Sequence, residues 1–238
     1  MKLKPFRIIA GLVIAISLIG GAALAVPASA ADTRYITISA TGTTTVVPDA
    51  VRINATVSVL GSSSKSALGA ASATASAVRA ALLANKVGTK DITTQSVTVY
   101  PEYSYPTNAT PVLSGYRASQ SFDITVRAAS TAGAVVDAIV EAGGDNLQVN
   151  GVSPFVLDNN KATEKARAYA VGRAKAKAAS YAKLLGIKLG RVIYLDETST
   201  PSSYPIYSAT AKADSSATVI DLGEQKVTVS VTVRWAIG

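Results

Sequence analysis

Residues 226–237 read KVTVSVTVRWAI. Val227, Val229, Val231, Val233 and Trp235 alternate with Lys226, Thr228, Ser230, Thr232 and Arg234. That period of two belongs to a strand with one apolar and one wetted face. A strand of this kind needs neighbours on its edges and a cover on its apolar side, so the rest of the chain must supply both.

Other segments fit that demand. VRINATVSV (51–59) sets Val51, Ile53, Ala55, Val57 and Val59 against Arg52, Asn54, Thr56 and Ser58. Pro48-Asp49 before it marks a turn or bulge between two strand halves. ITTQSVTVY (92–100), SFDITVR (121–127), LQVNGVSPFVL (147–157) with a kink at Pro154, and RVIYLDET (191–198) are further strand candidates. PEYSYPTNATPVLSG (101–115) reads as a long hairpin tip, and 199–221 as a Ser/Thr/Ala/Pro loop without a period.

Three segments have helical spacing. In 65–84, Leu68, Ala71, Ala75, Val78 and Leu82 define a small-residue face that can sit close on a sheet. Ser130 is placed to cap a short helix through Val135, Val136, Ile139 and Val140, stopped by Gly143-Gly144. In 161–185, Ala170, Ala174, Ala178, Tyr181 and Leu185 share one side of the wheel, opposite Lys161, Lys165, Lys175 and Lys183, and Gly186 closes the helix. Arg167 falls on the apolar side with no evident partner. Helices interspersed with hairpin-joined strands predict an α+β fold with mixed or antiparallel sheets and packed helices. Residues 31–238 form one domain, or two α/β subdomains near 31–130 and 131–238.

The first thirty residues carry the pattern of a signal peptide. Lys2, Lys4 and Arg7 precede an apolar run over residues 8–25, and Ala28-Ser29-Ala30 is a small-x-small cleavage pattern. Cleavage between Ala30 and Ala31 predicts an extracytoplasmic chain with no stable membrane insertion; an uncleaved anchor is the alternative. Without Lys2, Lys4 and Arg7, 20 basic residues remain against 15 acidic ones, and the net charge falls from +8 to +5. The five basic residues of 167–186 thus read as the solvated side of a helix. With an export pattern at the N-terminus and a modest net charge, they do not suggest a nucleic-acid arm. An alanine seam is also a poor membrane anchor.

The chain has no cysteine and no histidine. It has neither a disulfide framework nor the usual general base and zinc ligand. Ser62-Ser63-Ser64-Lys65 matches the S-x-x-K of serine acyl-enzymes, but its companion motifs are missing, and a serine-rich helix cap explains it. Asp196-Glu197 on a strand point to opposite faces and cannot share a site. Asn54-Ala55-Thr56 and Asn108-Ala109-Thr110 fit a glycan acceptor pattern. No catalytic residue, cofactor or metal is therefore expected, and the chain is read as a non-enzyme. Six of the ten tyrosines, Tyr100, Tyr103, Tyr105, Tyr116, Tyr204 and Tyr207, fall in the two long loops and are candidate interface residues. They could grip a peptide or glycan, or cover the sheet ends.

From about Tyr35 to Ile237, the ordered pieces ITISATGTTTVVPDAVRI, ITTQSVTVYPEYSY, SGYRASQSFDITV, NGVSPFVLD, RAKAKAASYAKLLGIKLGRVIYLDET and IDLGEQKVTVSVTVRW resemble the SIMPL-domain family. The resemblance implies an extracytoplasmic α+β protein. It implies that relatives can form ring-like or channel-like oligomers, that the family's role is physiological stress protection at the cell envelope, and that no enzymatic activity is agreed. The Tyr/Pro-rich hairpin and the composition of 199–221 depart from the family, so partner specificity does not carry over.

Overall fold

The alternating C-terminal segment is β8 (Glu224–Ile237), the middle of a four-stranded terminal sheet. On one side of it lies β1 (Tyr35–Val46), in register from Tyr35↔Ala236 to Val46↔Gln225. On the other lie β6 (Leu189–Glu197) and β7 (Ser202–Ile206), one after the other along β8. A second, inner sheet has the order β3-β4-β2-β5, from β2 (Ala50–Gly61), β3 (Ile92–Ser104), β4 (Val112–Val126) and β5 (Leu147–Phe155). Every described strand pair is antiparallel, which settles the choice between mixed and antiparallel sheets within the expected α+β class. This computed structural model describes residues 34–107, 110–197 and 218–238, with the backbone of 202–206. The signal segment, its Ala30–Ala31 junction, Asn108 and Tyr207 lie outside the described residues.

Each sheet has helices on one face. Helices α1 (Ser64–Ala84) and α2 (Ala132–Gly143) cover the inner sheet, and α3 (Asn160–Leu185) covers the terminal one. The inner core gathers Val51, Ile53, Val57, Phe122 and Ile124 of the strands with Ala71, Val78 and Leu82 of α1 and Val135 and Ile139 of α2. The terminal core sets Val227, Val229, Val231, Val233 and Trp235 against Ala166, Ala170, Ala174 and Ala178. The chain builds β1 into the terminal sheet, completes the inner sheet, then returns. A boundary near residue 130 therefore coincides with neither core, because α2 and β5 pack with the strands before it.

Several expectations need correction. In α1 the buried face runs Ala67, Ala71, Ala75, Val78, Leu82, and Leu68 is exposed. The i, i+4, i+8 row starting at Ala67 lies square on the sheet, whereas Leu68 is rotated 100° away. In α2 the N-cap is Thr131, the last residue of a short 3-10 turn (Ala129–Thr131) that contains Ser130, and Val140 faces solvent. In α3 the buried row is Ala166, Ala170, Ala174, Ala178 and Ala182, while Tyr181 and Leu185 are exposed. A strict spacing of four drifts 40° per step, so this row crosses the sheet obliquely and carries Tyr181 past its edge. The stops at Gly144 and Gly186 are as expected, both with positive φ.

The hairpin tip of 101–115 is mostly strand, because β3 extends to Ser104 and β4 begins at Val112. Part of the 199–221 segment is β7, paired with β8 from Ser202↔Thr228 to Ile206↔Glu224; pairing with an available edge supplied what local pattern did not. Pro154 sits on edge strand β5, where a missing N–H is tolerated. The irregularity in that ladder falls at Asn150, opposite Asn54 and Ala55. α1 is long and apolar enough to cross a bilayer by length and composition alone, but its buried row belongs to the inner core. Residues 47–49 are the link between the sheets. Asp49 Oδ1 accepts the Leu157 N–H at 2.9 Å, and its carbonyl accepts that of Ala129 at 3.0 Å.

Gly42 of β1 lets α3 come close. A Cβ there would lie 2.0 Å from the Ala166 carbonyl oxygen and 2.3 Å from the Ala170 nitrogen. Gly42→Ala is expected to destabilise the protein by about 3 kcal/mol or more, since backbone must move. Gly172→Ala on the open side of α3, where a Cβ meets nothing within 4 Å, is expected to stabilise it by about 0.8 kcal/mol. Urea unfolding followed by fluorescence of Trp235, the single tryptophan, reads both changes.

Candidate functional site

The β3–β4 hairpin forms one edge of the inner sheet. Beyond buried Ile92, β3 is exposed almost throughout. Val97 and Val99 pair with Gln120 and Ala118, which puts them on the helix-facing side of the sheet. α1 rests over β2 and β4, however, and Val97 remains 54% exposed. The outer edge of β3 is unpaired, and no charged residue lies between Ile92 and Pro101. Natural sheets usually guard such an edge with a charge, a proline or a short strand. Here a Thr/Ser/Val/Tyr strand offers its free N–H and C=O groups to solvent.

Further along the hairpin the wet face is organised around Arg117. Its guanidinium forks onto Glu102, with Nε donating to Oε2 and Nη2 to Oε1 at 2.8 Å, and Nη1 reaches Ser58 Oγ at 3.3 Å. The hydrogen bond from Arg117 holds the Glu102 carboxyl below its ordinary value, against a smaller opposing effect of burial. Tyr100 is opposite Arg117 in the ladder.

Of the six tyrosines, Tyr100 and Tyr103 lie on β3 and Tyr105 just past its end, all exposed, Tyr105 at 76%. Tyr116 turns inward and packs on the inner core. Tyr204 lies on β7 opposite Lys226. The hairpin thus brings together three of the candidates; the reading of all six as loop residues is corrected.

The remaining motifs resolve into structure. Ser63 caps α1, its Oγ accepting the Ser66 N–H at 3.1 Å. Arg167 forks onto Glu197 at 2.7 and 3.1 Å, so it reaches across to β6 and does not enter the core. Asn54 and Thr56 lie within β2, paired on both sides, with Thr56 Oγ1 bonded to Ser121 and Asn150. Among the described residues, no three His, Cys, Asp or Glu side chains form a metal-binding group. Two features escaped the sequence because they depend on register. Arg234 stacks over Tyr35 at 4.4 Å and lies 5.7 Å from Tyr194 on the wet face of the terminal sheet. Arg173 Nη1 donates to the Thr41 carbonyl oxygen at 2.9 Å, on the outer edge of β1.

These features define a two-sheet, helix-backed α+β protein whose distinctive chemistry lies in exposed strand edges. The family model for SIMPL, a protein family of unknown function (DUF541), matches residues 36–235, and the chain belongs to that family. It is similar to the 26 kDa periplasmic immunogenic protein of Brucella melitensis, 29% identical over 213 residues that cover 85% of this chain and 84% of the relative. It is also similar to the uncharacterized protein YggE of Escherichia coli K12, 28% identical over 161 residues, 68% of this chain and 64% of that one.

Because the folded carboxyl of Glu102 titrates below its unfolded counterpart, its pairing with Arg117 stabilises the protein above the unfolded value, and that contribution is lost as pH falls through the folded one. Thermal melts of wild type and Glu102→Gln from about pH 7 to about pH 2.5 are expected to differ in favour of wild type at the neutral end and to converge at the acid end.

Proposed function

We propose that this chain is an extracytoplasmic, non-enzymatic envelope protein that homo-oligomerises and supports envelope integrity or oxidative-stress tolerance. Three things support the reading: the signal-like N-terminal segment, the periplasmic relative in the same family, and a composition without histidine or cysteine. One observation carries the assembly: the bare edge of β3, with Val97 and Val99 exposed beside it and Tyr100, Tyr103 and Tyr105 along the same arm. A second copy adding a strand there would satisfy the edge backbone groups and bury the valines together.

Size-exclusion chromatography with light scattering on residues 31–238 is expected to give a mass above that of one chain. Replacing Val97 and Val99 by Lys is expected to shift it to the monomer while leaving the fold intact by circular dichroism. A wild-type monomer at high concentration refutes assembly.

A second reading makes the same arm a peptide- or glycan-binding surface, favoured by the exposure of Tyr103 and Tyr105 at its end. Replacing Tyr103, Tyr105, Tyr204 and Tyr207 by Ala separates the two: ligand capture is lost with oligomer mass unchanged only under the second reading.

A further inference from the structure

The outer edge of β1 differs in kind from that of β3. Arg173, Lys177 and Tyr181 of α3 occupy one flank of the helix at spacings of four, about 6 Å apart along its axis. Together with β1 they line an open groove whose floor includes Ser39 and Thr41. We infer that this groove binds an anionic polyol polymer, a chain of hydroxylated units that carry phosphate or carboxylate groups.

Charge points to an anion. Arg52, Arg117, Arg127 and Arg167 are each matched by a carboxylate. Among the described residues, no carboxylate pairs with Arg173 or Lys177. Arg173 uses one N–H on the Thr41 carbonyl oxygen, which fixes the guanidinium at the groove and leaves its other donors for a planar oxyanion.

Hydroxyls and an exposed ring point to a polyol. Ser39 Oγ and Thr232 Oγ1 are 2.9 Å apart; that bond uses one of their two protons and leaves one O–H to donate. Tyr181 stands beside Ile36 and Thr37 at the far end of the groove, an apolar ring face of the kind that packs on the C–H side of a sugar or glycerol unit. Asp196 pairs with Thr232 from β6. Its neighbour Glu197 points toward α3, so Asp196 lies on the wet face. Negative charge on that side keeps the oxyanions at the β1 edge and directs hydroxyls inward.

An extended peptide fits less well. Thr41 directs its carbonyl outward, so by alternation Ser39 and Thr37 present their backbone groups to the same side. An added strand needs Thr41 too, and Arg173 already occupies it.

The test is fluorescence anisotropy of the purified chain with labelled poly(glycerol phosphate) and, in a parallel arm, labelled polygalacturonate. Saturable binding of either is expected, and the tighter one identifies the oxyanion. Arg173→Gln with Lys177→Gln is expected to weaken binding about tenfold or more, and Lys177→Gln alone, which breaks no hydrogen bond, about threefold. Lys165→Gln with Lys183→Gln removes the same charge from exposed positions away from the groove and is expected to change affinity less than about twofold. The inference is overturned by absence of saturable binding, by equal losses in the two double variants, or by equally tight binding of poly-L-glutamate. Light scattering on the same variants, with mass unchanged, keeps this outcome separate from that of the assembly proposal.

Discussion

Helix α3 meets the terminal sheet through methyl groups. Ala166, Ala170, Ala174 and Ala178 are fully buried against a row of valines and Trp235, and Ala182 is nearly buried. At about 0.8 kcal/mol each, five methyls contribute only about 4 kcal/mol. The gain lies in proximity: with no long side chain between them, helix backbone comes up against Gly42, and the valines of β8 fill the remaining space. That short distance also has a consequence at the rim. Basic side chains that would end in solvent on a higher-riding helix here reach the edge of β1, and Arg173 closes onto its backbone.

The two sheets consequently present different edges. β1 is overhung by cations and partly hydrogen-bonded by them, which blocks strand addition and leaves a polar, positively charged groove. β3 lies largely beyond the cover of α1: Arg79 of that helix reaches Thr94 Oγ1 at 3.4 Å, and the strand carries no charge of its own from Thr93 to Tyr100. Its valines are on the helix side but outside the helix's reach. One edge suits small repeating anionic groups, the other an additional strand. The difference arises from helix placement, since the strands themselves are similar in composition.

Much of this architecture was legible because it rests on periodicity. The alternation in 226–237 and 51–59 required half-covered strands, and the alanine row of 161–185 required a close helix. What stayed hidden depends on partners distant in sequence. Arg167 seemed to belong to the apolar side because a wheel has no strand beside it; Glu197, thirty residues on, draws it across to β6. Leu68 seemed buried because leucine usually is, yet the row through Ala67 faces the sheet. β7 has no period of its own and exists because β8 has a free stretch from Glu224 to Thr228. The β1 groove was illegible for the same reason: Arg173 and Thr41 are 132 positions apart, and neither residue is distinctive locally. The tyrosines were seen as a group, but not that two of them are rungs of a strand while Tyr116 turns inward.

Placing the bare edge and the basic groove on different sheets has an energetic consequence. The proposed strand addition at β3 would leave β1 and its overhanging side chains untouched, so each copy joined in this way would bring its own groove. A polymer with repeating charges can then occupy several grooves at once. The second engagement is intramolecular, with an effective concentration set by the spacing of copies and the stiffness of the polymer. Two surface cations with one hydroxyl pair give a weak site in a single copy, because exposed charges are well solvated and screened by salt. In the proposed pairing of two copies, two such sites would hold a polymer more firmly than one without any new contact. Assembly through an unguarded strand and a shallow charged groove are each modest alone, and their physics makes them complementary.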